Sequence, residues 1–198
     1  MQTALAILAA YLLGSVSFAI VASRLFGLAD PRSYGSGNPG ATNVLRSGNK
    51  KAALFTLIGD ALKGWVAVFV AQKMGFSDQA IGLVALAVFF GHLFPVFLKF
   101  KGGKGVATAA GVLLALDPLI GLAVLGTWVF VAFVFRYSSL AAVLAAFMAP
   151  VYSALVHGSS GPTLVVGVLA VALIFKHWQN IQRLMAGQES KIGSKKKA

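Results

Sequence analysis

The densest set of groups able to do chemistry lies at residues 91–111, GHLFPVFLKFKGGKGVATAAG. An apolar helix end runs into Lys99, Lys101 and Lys104, set among Gly102, Gly103 and Gly105, and an apolar stretch follows. Glycine lets backbone N–H groups approach a ligand closely, and lysine supplies point charge, so the loop suits a phosphorylated anion. Gly103-Lys104 superficially resembles a Walker motif. Gly105 stands where that motif needs a serine or threonine for magnesium, and the spacing fails. What remains is an anion nest at the start of a helix whose N-terminal dipole favours phosphate. The competing account is three lysines solvated at the lipid headgroups.

A second polar stretch, RSYGSGNPGATNVLRSGNKK, runs from Arg32 to Lys51. Gly35, Gly37 and Gly40 form a formal dinucleotide fingerprint. That fingerprint needs a preceding strand in a βαβ unit, and here an apolar helix precedes it and Asp60 lies inside another. The local chemistry survives: Ser36, Asn38, Thr42 and Asn43 offer donors, and Arg46 offers a planar fork suited to phosphate. A flexible loop with a helix cap near Thr42 or Asn43 is the alternative.

The third stretch, FKHWQNIQRL, closes the last apolar run. On one continuous helix Lys176, Asn180 and Arg183 would form a single stripe, with His177 beside Asn180. Glu189 is the only acidic residue beyond it. The alternative is snorkelling cations beside an interfacial Trp178. Asp60 and Lys63, one helical turn apart inside an apolar run, either neutralise each other or support the site. Pro95 after His92 predicts a bent helix end near the glycine-lysine loop.

Other chemistries are excluded. The chain has no cysteine, hence no disulfide or thiol nucleophile. His92, His157 and His177 lie far apart without a carboxylate cluster, so neither a metal nor another cofactor is expected. No Ser-His-Asp triad is visible, and no histidine opens a His-x-x-x-x-Asp motif: Phe97, Pro162 and Gln182 stand at the fifth positions.

The elements that must position these groups are membrane helices. Of 198 residues, 58% are hydrophobic and 11% charged, against about 25% charged in a soluble domain. Lysine and arginine number 17 against 5 acidic residues, a net charge of +12. In a soluble protein that would suggest nucleic acid. Here the cations sit in short loops between apolar spans, so membrane lipid is expected as the partner and nucleic acid is not. Spans are predicted at 4–23, 52–72, 79–98, 105–116, 118–135, 139–156 and 162–184. The first lacks the basic start of a signal peptide and is long for its apolar region, so it reads as an anchored helix. One polytopic domain, 1–198, accounts for the whole chain.

Orientation decides the fourth span. Twelve helical residues reach only about 18 Å against a hydrocarbon core of about 30 Å, so alone it looks re-entrant. If it crosses, every lysine and arginine except Lys63 and Lys73 falls on one side. That side is the cytoplasm. The expected fold is therefore all-α with seven transmembrane helices, the fourth short, the N-terminus outside and the C-terminus cytoplasmic.

The residues quoted also carry a resemblance. GSGNPGATNVLR at 35–46, GHLFPVFLKFKGGKGVATAAG at 91–111 and HWQNIQRLMAGQES at 177–190 resemble the three cytoplasmic motifs of the bacterial PlsY family. These are membrane-embedded acyl-phosphate:glycerol-3-phosphate acyltransferases, and the likeness covers essentially the whole chain. It implies transfer of a fatty acyl group from acyl phosphate to the sn-1 hydroxyl of glycerol 3-phosphate, giving lysophosphatidate and phosphate. It also implies a bacterial inner-membrane location with the site at the cytoplasmic face. The site residues it implies are Ser36, Asn38, Thr42, Asn43, Arg46, Gly102, Gly103, Lys104, His177, Asn180 and Glu189, with Ser139 at a polar position near the phosphate site. The tail SKIGSKKKA departs most from the pattern and is assigned to membrane contact.

Under this resemblance Lys104 and Arg46 hold the acyl-phosphate headgroup, and His177 and Asn180 orient glycerol 3-phosphate. Ser36 and the Gly102–Gly103 backbone are further donors. Acyl phosphate carries a good leaving group, so no acyl-enzyme is needed, and the donor's own phosphate can take the hydroxyl proton. His177 as general base is the competing mechanism. The alternative of another class is a transporter or flippase for a phosphorylated metabolite. It needs the same cations, yet the candidate groups gather at one face and no internal repeat is evident.

Overall fold

A computed structural model describes residues 1–193, and all its regular structure is helical. The lysines at 195–197 lie outside the described residues. The chain divides into two compact units, Met1–Gly121 and Leu122–Ala198.

The first unit contains α1 (Gln2–Ser15), α2 (Phe18–Leu25), α3 (Ala41–Leu45), α4 (Lys50–Lys73), α5 (Asp78–Leu93), a 3-10 turn at Val96–Leu98 and α6 (Val106–Leu116). Side chains cap the two long helices: Asn49 accepts from Ala52 N–H and Ser77 from Ala80 N–H. The main pairings are α1 with α5 and α4 with α6. Lipid tails give helices no hydrophobic reason to associate, so backbones must come close through small residues. Gly14 lies against the Val88 carbonyl and Gly111 against the Ala61 carbonyl, positions where any Cβ would collide with backbone.

The second unit holds α8 (Ser138–His157), α9 (Gly161–Lys176) and α10 (Trp178–Met185), with α7 (Pro118–Phe135) running across the division. α8 packs against α9, and α10 touches both. Large apolar side chains such as Phe133 and Leu155 face outward, the pattern of a lipid-facing surface.

Among the described residues four helices are long and apolar enough to cross a membrane, or up to six if each bent pair is one span, so the chain is a multi-pass membrane protein. α6, at 11 residues, is shorter than that length.

Two expected spans are not single helices. The first breaks between α1 and α2 with a bend of 43°. Val16 and Ser17 are extended there, and the carbonyl of Val16 accepts from Lys63 Nζ at 2.6 Å instead of from its own helix. The last breaks at His177, where α9 and α10 meet at 58°. Lys176 therefore ends one helix while Asn180 and Arg183 lie on the next, and the single stripe expected of them does not form. The third span ends as Pro95 predicted, with α5 stopping at Leu93.

Candidate functional site

The loop before α3 is organised by Asn43. Its buried amide donates to Pro31 O at 2.6 Å and Tyr34 O at 3.1 Å, and its carbonyl oxygen accepts Ser36 N–H at 2.9 Å. One side chain thus closes the turn that carries Ser36, and Gly35, at φ +61°, supplies a backbone conformation few other residues adopt. Ser36, Thr42 and Arg46 are exposed, and Asn38 is half-buried beside Gly40. Arg32 is held by Asp30, with its guanidinium 2.6 Å from the carboxylate. The hydrogen bond from Arg32 holds the Asp30 carboxyl below its ordinary pKa. An Asp-x-Arg spacing was the signal for this pairing.

The glycine-lysine loop lies on the end of α5. Gly103 N–H donates to His92 O at 3.2 Å. A Cβ at Gly102 would strike the His92 carbonyl, and one at Gly103 would strike His92 Nε2. Gly105, at φ +86°, is the N-cap of α6. Lys104 is thus the one side chain carried by a stretch of four residues laid directly on α5, half-buried at the threshold of a helix N-terminus.

In the second unit Glu189 gathers three partners. Its Oε1 accepts from Ser139 Oγ at 2.7 Å and Asn180 Nδ2 at 2.6 Å, and its Oε2 from Arg183 Nε at 2.8 Å. Burial opposes ionisation, but these three donors outweigh it and hold the Glu189 carboxyl below its ordinary pKa. Ser139, Asn180 and Glu189 are therefore brought together, with Asn180 fixed on its glutamate. His177 is buried at the α9–α10 bend, and its Nδ1 lies 2.9 Å from Leu173 O. A carbonyl only accepts, so in the neutral ring Nδ1 carries the proton and Nε2 is the acceptor.

The sequence reading missed how the tail folds back. Arg136 O accepts Ile192 N–H at 2.6 Å, and Arg136 Nη2 donates to Ile192 O at 3.0 Å. Lys191 Nζ sits over the Tyr137 ring at 5.6 Å. Lys191 and Ile192 thus dock on the corner before α8 rather than serving only as membrane contacts.

Known proteins align along the whole chain. A family model described as glycerol-3-phosphate acyltransferase matches residues 4–187. A glycerol-3-phosphate acyltransferase of Dechloromonas aromatica is 80% identical over 198 residues, covering 100% of both chains. One from Burkholderia cenocepacia is 62% identical, covering 100% of this chain and 94% of that relative. A crystal structure of PlsY (YgiH), an integral membrane glycerol 3-phosphate acyltransferase in its glycerol 3-phosphate form, superposes with a TM-score of 0.92 at 36% identity, over 98% of this chain and 96% of that one. Its lysophosphatidic acid form gives 0.90 at 35%, with the same coverage.

Proposed function

The chain belongs to the glycerol-3-phosphate acyltransferase family, and on that premise we propose that it transfers a fatty acyl group from acyl phosphate to the sn-1 hydroxyl of glycerol 3-phosphate. The products are lysophosphatidate and inorganic phosphate. The observation that carries this reading is the seating of the Gly102–Gly103–Lys104 loop on His92, which presents one fixed cation beside backbone donors at the start of α6.

Lys104 and Arg46 hold the donor phosphate and stabilise the charge that grows on it as the C–O bond to the acyl carbon breaks. Ser36, Asn38, Thr42 and the Gly102 backbone add donors, Gly103 N–H being committed to His92 O, and Asn43 keeps Ser36 in place. His177 and Asn180 orient glycerol 3-phosphate, with Ser139 and Glu189 supporting Asn180. The hydroxyl oxygen attacks the acyl carbon directly, and the departing phosphate takes the hydroxyl proton. No acyl-enzyme, metal or cofactor enters. A second mechanism has a specific observation in its favour: the acceptor character of His177 Nε2 suits a base for that proton.

The whole chain, 1–198, works as one polytopic domain in the bacterial inner membrane. It has seven spans with α6 crossing, the N-terminus outside, and the basic loops and chemistry at the cytoplasmic face. The one-sided distribution of lysine and arginine supports this orientation, and the bacterial source of the relatives supports a bacterial membrane.

The test is purified protein in detergent with acyl phosphate and glycerol 3-phosphate. Phosphate release that depends on glycerol 3-phosphate, with lysophosphatidate formed in equal amount, is expected. A transporter would release none.

A further inference from the structure

Three ionisable side chains with no assigned part in holding substrate are buried in the first unit, beneath the glycine-lysine loop. Asp60 and Lys63 on α4 are each 2% exposed, and His92 at the end of α5 is 6% exposed. Lys63 Nζ lies 2.7 Å from Asp60 Oδ1, and His92 Nδ1 lies 3.5 Å from the same oxygen. Lys63 Nζ also donates to Val16 O at the α1–α2 break. The cluster therefore ties that break, α4 and α5 together.

The cluster also meets the glycine-lysine loop. His92 O accepts Gly103 N–H, and the His92 ring edge at Nε2 fills the place of the missing Gly103 side chain. The gap bounded by Ser15, Ser17, Lys63, His92, Gly102 and Gly103 is too small for a water molecule.

Buried charge is costly, and a pair that only neutralised itself is replaceable by apolar side chains with little loss. A pair that also orients a ring beneath a loop does what apolar side chains cannot. We propose that Asp60, Lys63 and His92 are positioning residues for acyl transfer: the Asp60–Lys63 pair orients His92, and His92 sets where the Gly102–Gly103–Lys104 backbone lies. The inference rests on the reading of Lys104 as a phosphate-holding cation. None of the three touches substrate.

The decisive variant is the double substitution Asp60→Asn, Lys63→Met, which removes both charges and leaves neither unpaired. A purely neutralising pair predicts wild-type turnover. Positioning predicts a kcat at least about tenfold lower in protein that still folds in detergent, because small misplacements of a reacting group are expensive. Wild-type turnover overturns the proposal. In a Lys104→Ala background the same double substitution should add less than about a twofold further loss, since both changes act through one loop. A full additional tenfold loss also overturns it.

A second measurement serves if the double variant does not fold. The chain has no cysteine, so a spin label at Phe100→Cys reports the loop alone. Asp60→Glu, which keeps the charge but displaces it, should make that label more mobile; an unchanged line shape overturns the proposal. Wild-type turnover in Lys104→Ala by itself sinks the phosphate reading, and the label still reports on positioning independently.

Discussion

Asn180 donates its side-chain amide to Glu189 at 2.6 Å. The pair joins a helix end to a chain segment nine residues on, and Ser139 and Arg183 complete the shell around the carboxylate. Replacing Glu189 with Gln keeps the shape and removes the charge that organises three donors. Charge-assisted bonds of this kind contribute about 1.5–3 kcal/mol each. Glu189→Gln should lower kcat/KM by about tenfold or more, and Ser139→Ala by less, measured by phosphate release.

The same carboxylate sets a pH dependence. Its folded pKa is depressed, so the stability it contributes is full above the ordinary value of 4.5 and is lost as pH falls through the lower folded value. The thermal midpoint of the native protein in detergent should fall in that acidic window. The drop should be smaller in Glu189→Gln. Equal drops in both proteins would remove Glu189 as the cause.

Lys104→Ala should cost about 100-fold or more in kcat, the scale of losing one preorganised charge or donor at a reacting group. Lys104→Arg should recover only part of it, because a guanidinium is not a compact point charge. Glycerol-3-phosphate-dependent phosphate release measures both. His177→Gln separates the two proton routes: retained turnover removes the base mechanism, because glutamine cannot take the proton.

Asn43 yields a prediction that runs against size and shape. Asp is its closest isostere, yet Asn43→Asp would face two carbonyl oxygens, Pro31 O and Tyr34 O, with oxygen in place of the amide nitrogen. Asn43→Ala only loses hydrogen bonds, at about 1–3 kcal/mol. The Asp variant should therefore be the less stable of the two, read as thermal midpoint, with Ser36-dependent turnover lost in both.

Membrane topology is testable with single cysteines in a chain that has none. If α6 crosses, Ser159→Cys is labelled from outside intact cells by an impermeant thiol reagent and Gln188→Cys is not. Labelling of Gln188→Cys alone would mean that α6 turns back.

The sequence made some of this legible and hid the rest for physical reasons. Pro95 announced the end of α5, and the glycines at 102, 103 and 105 announced a backbone with no room for side chains, which the packing on His92 explains. The break at Val16 was invisible because hydropathy hardly changes across it; at His177 the passage from apolar to polar residues marked where the apolar run ends but not that the helix bends there. The Val16 carbonyl finds its partner in Lys63, 47 residues away, and no local pattern encodes that. Asn43 read as a ligand donor, yet its amide is engaged by the loop it organises. Residue type tells that a donor exists, and only the closed loop tells where its bonds go.

The reciprocal pairing of Arg136 with Ile192 carries a practical consequence for handling the protein. A purification tag fused beyond Gly193 leaves the docked segment whole. Trimming the chain back to Gln188, which a basic and superficially dispensable tail invites, removes Glu189 together with Ile192 and so strips Asn180 of its acceptor. Material shortened in that way has lost the carboxylate around which Ser139, Asn180 and Arg183 are arranged.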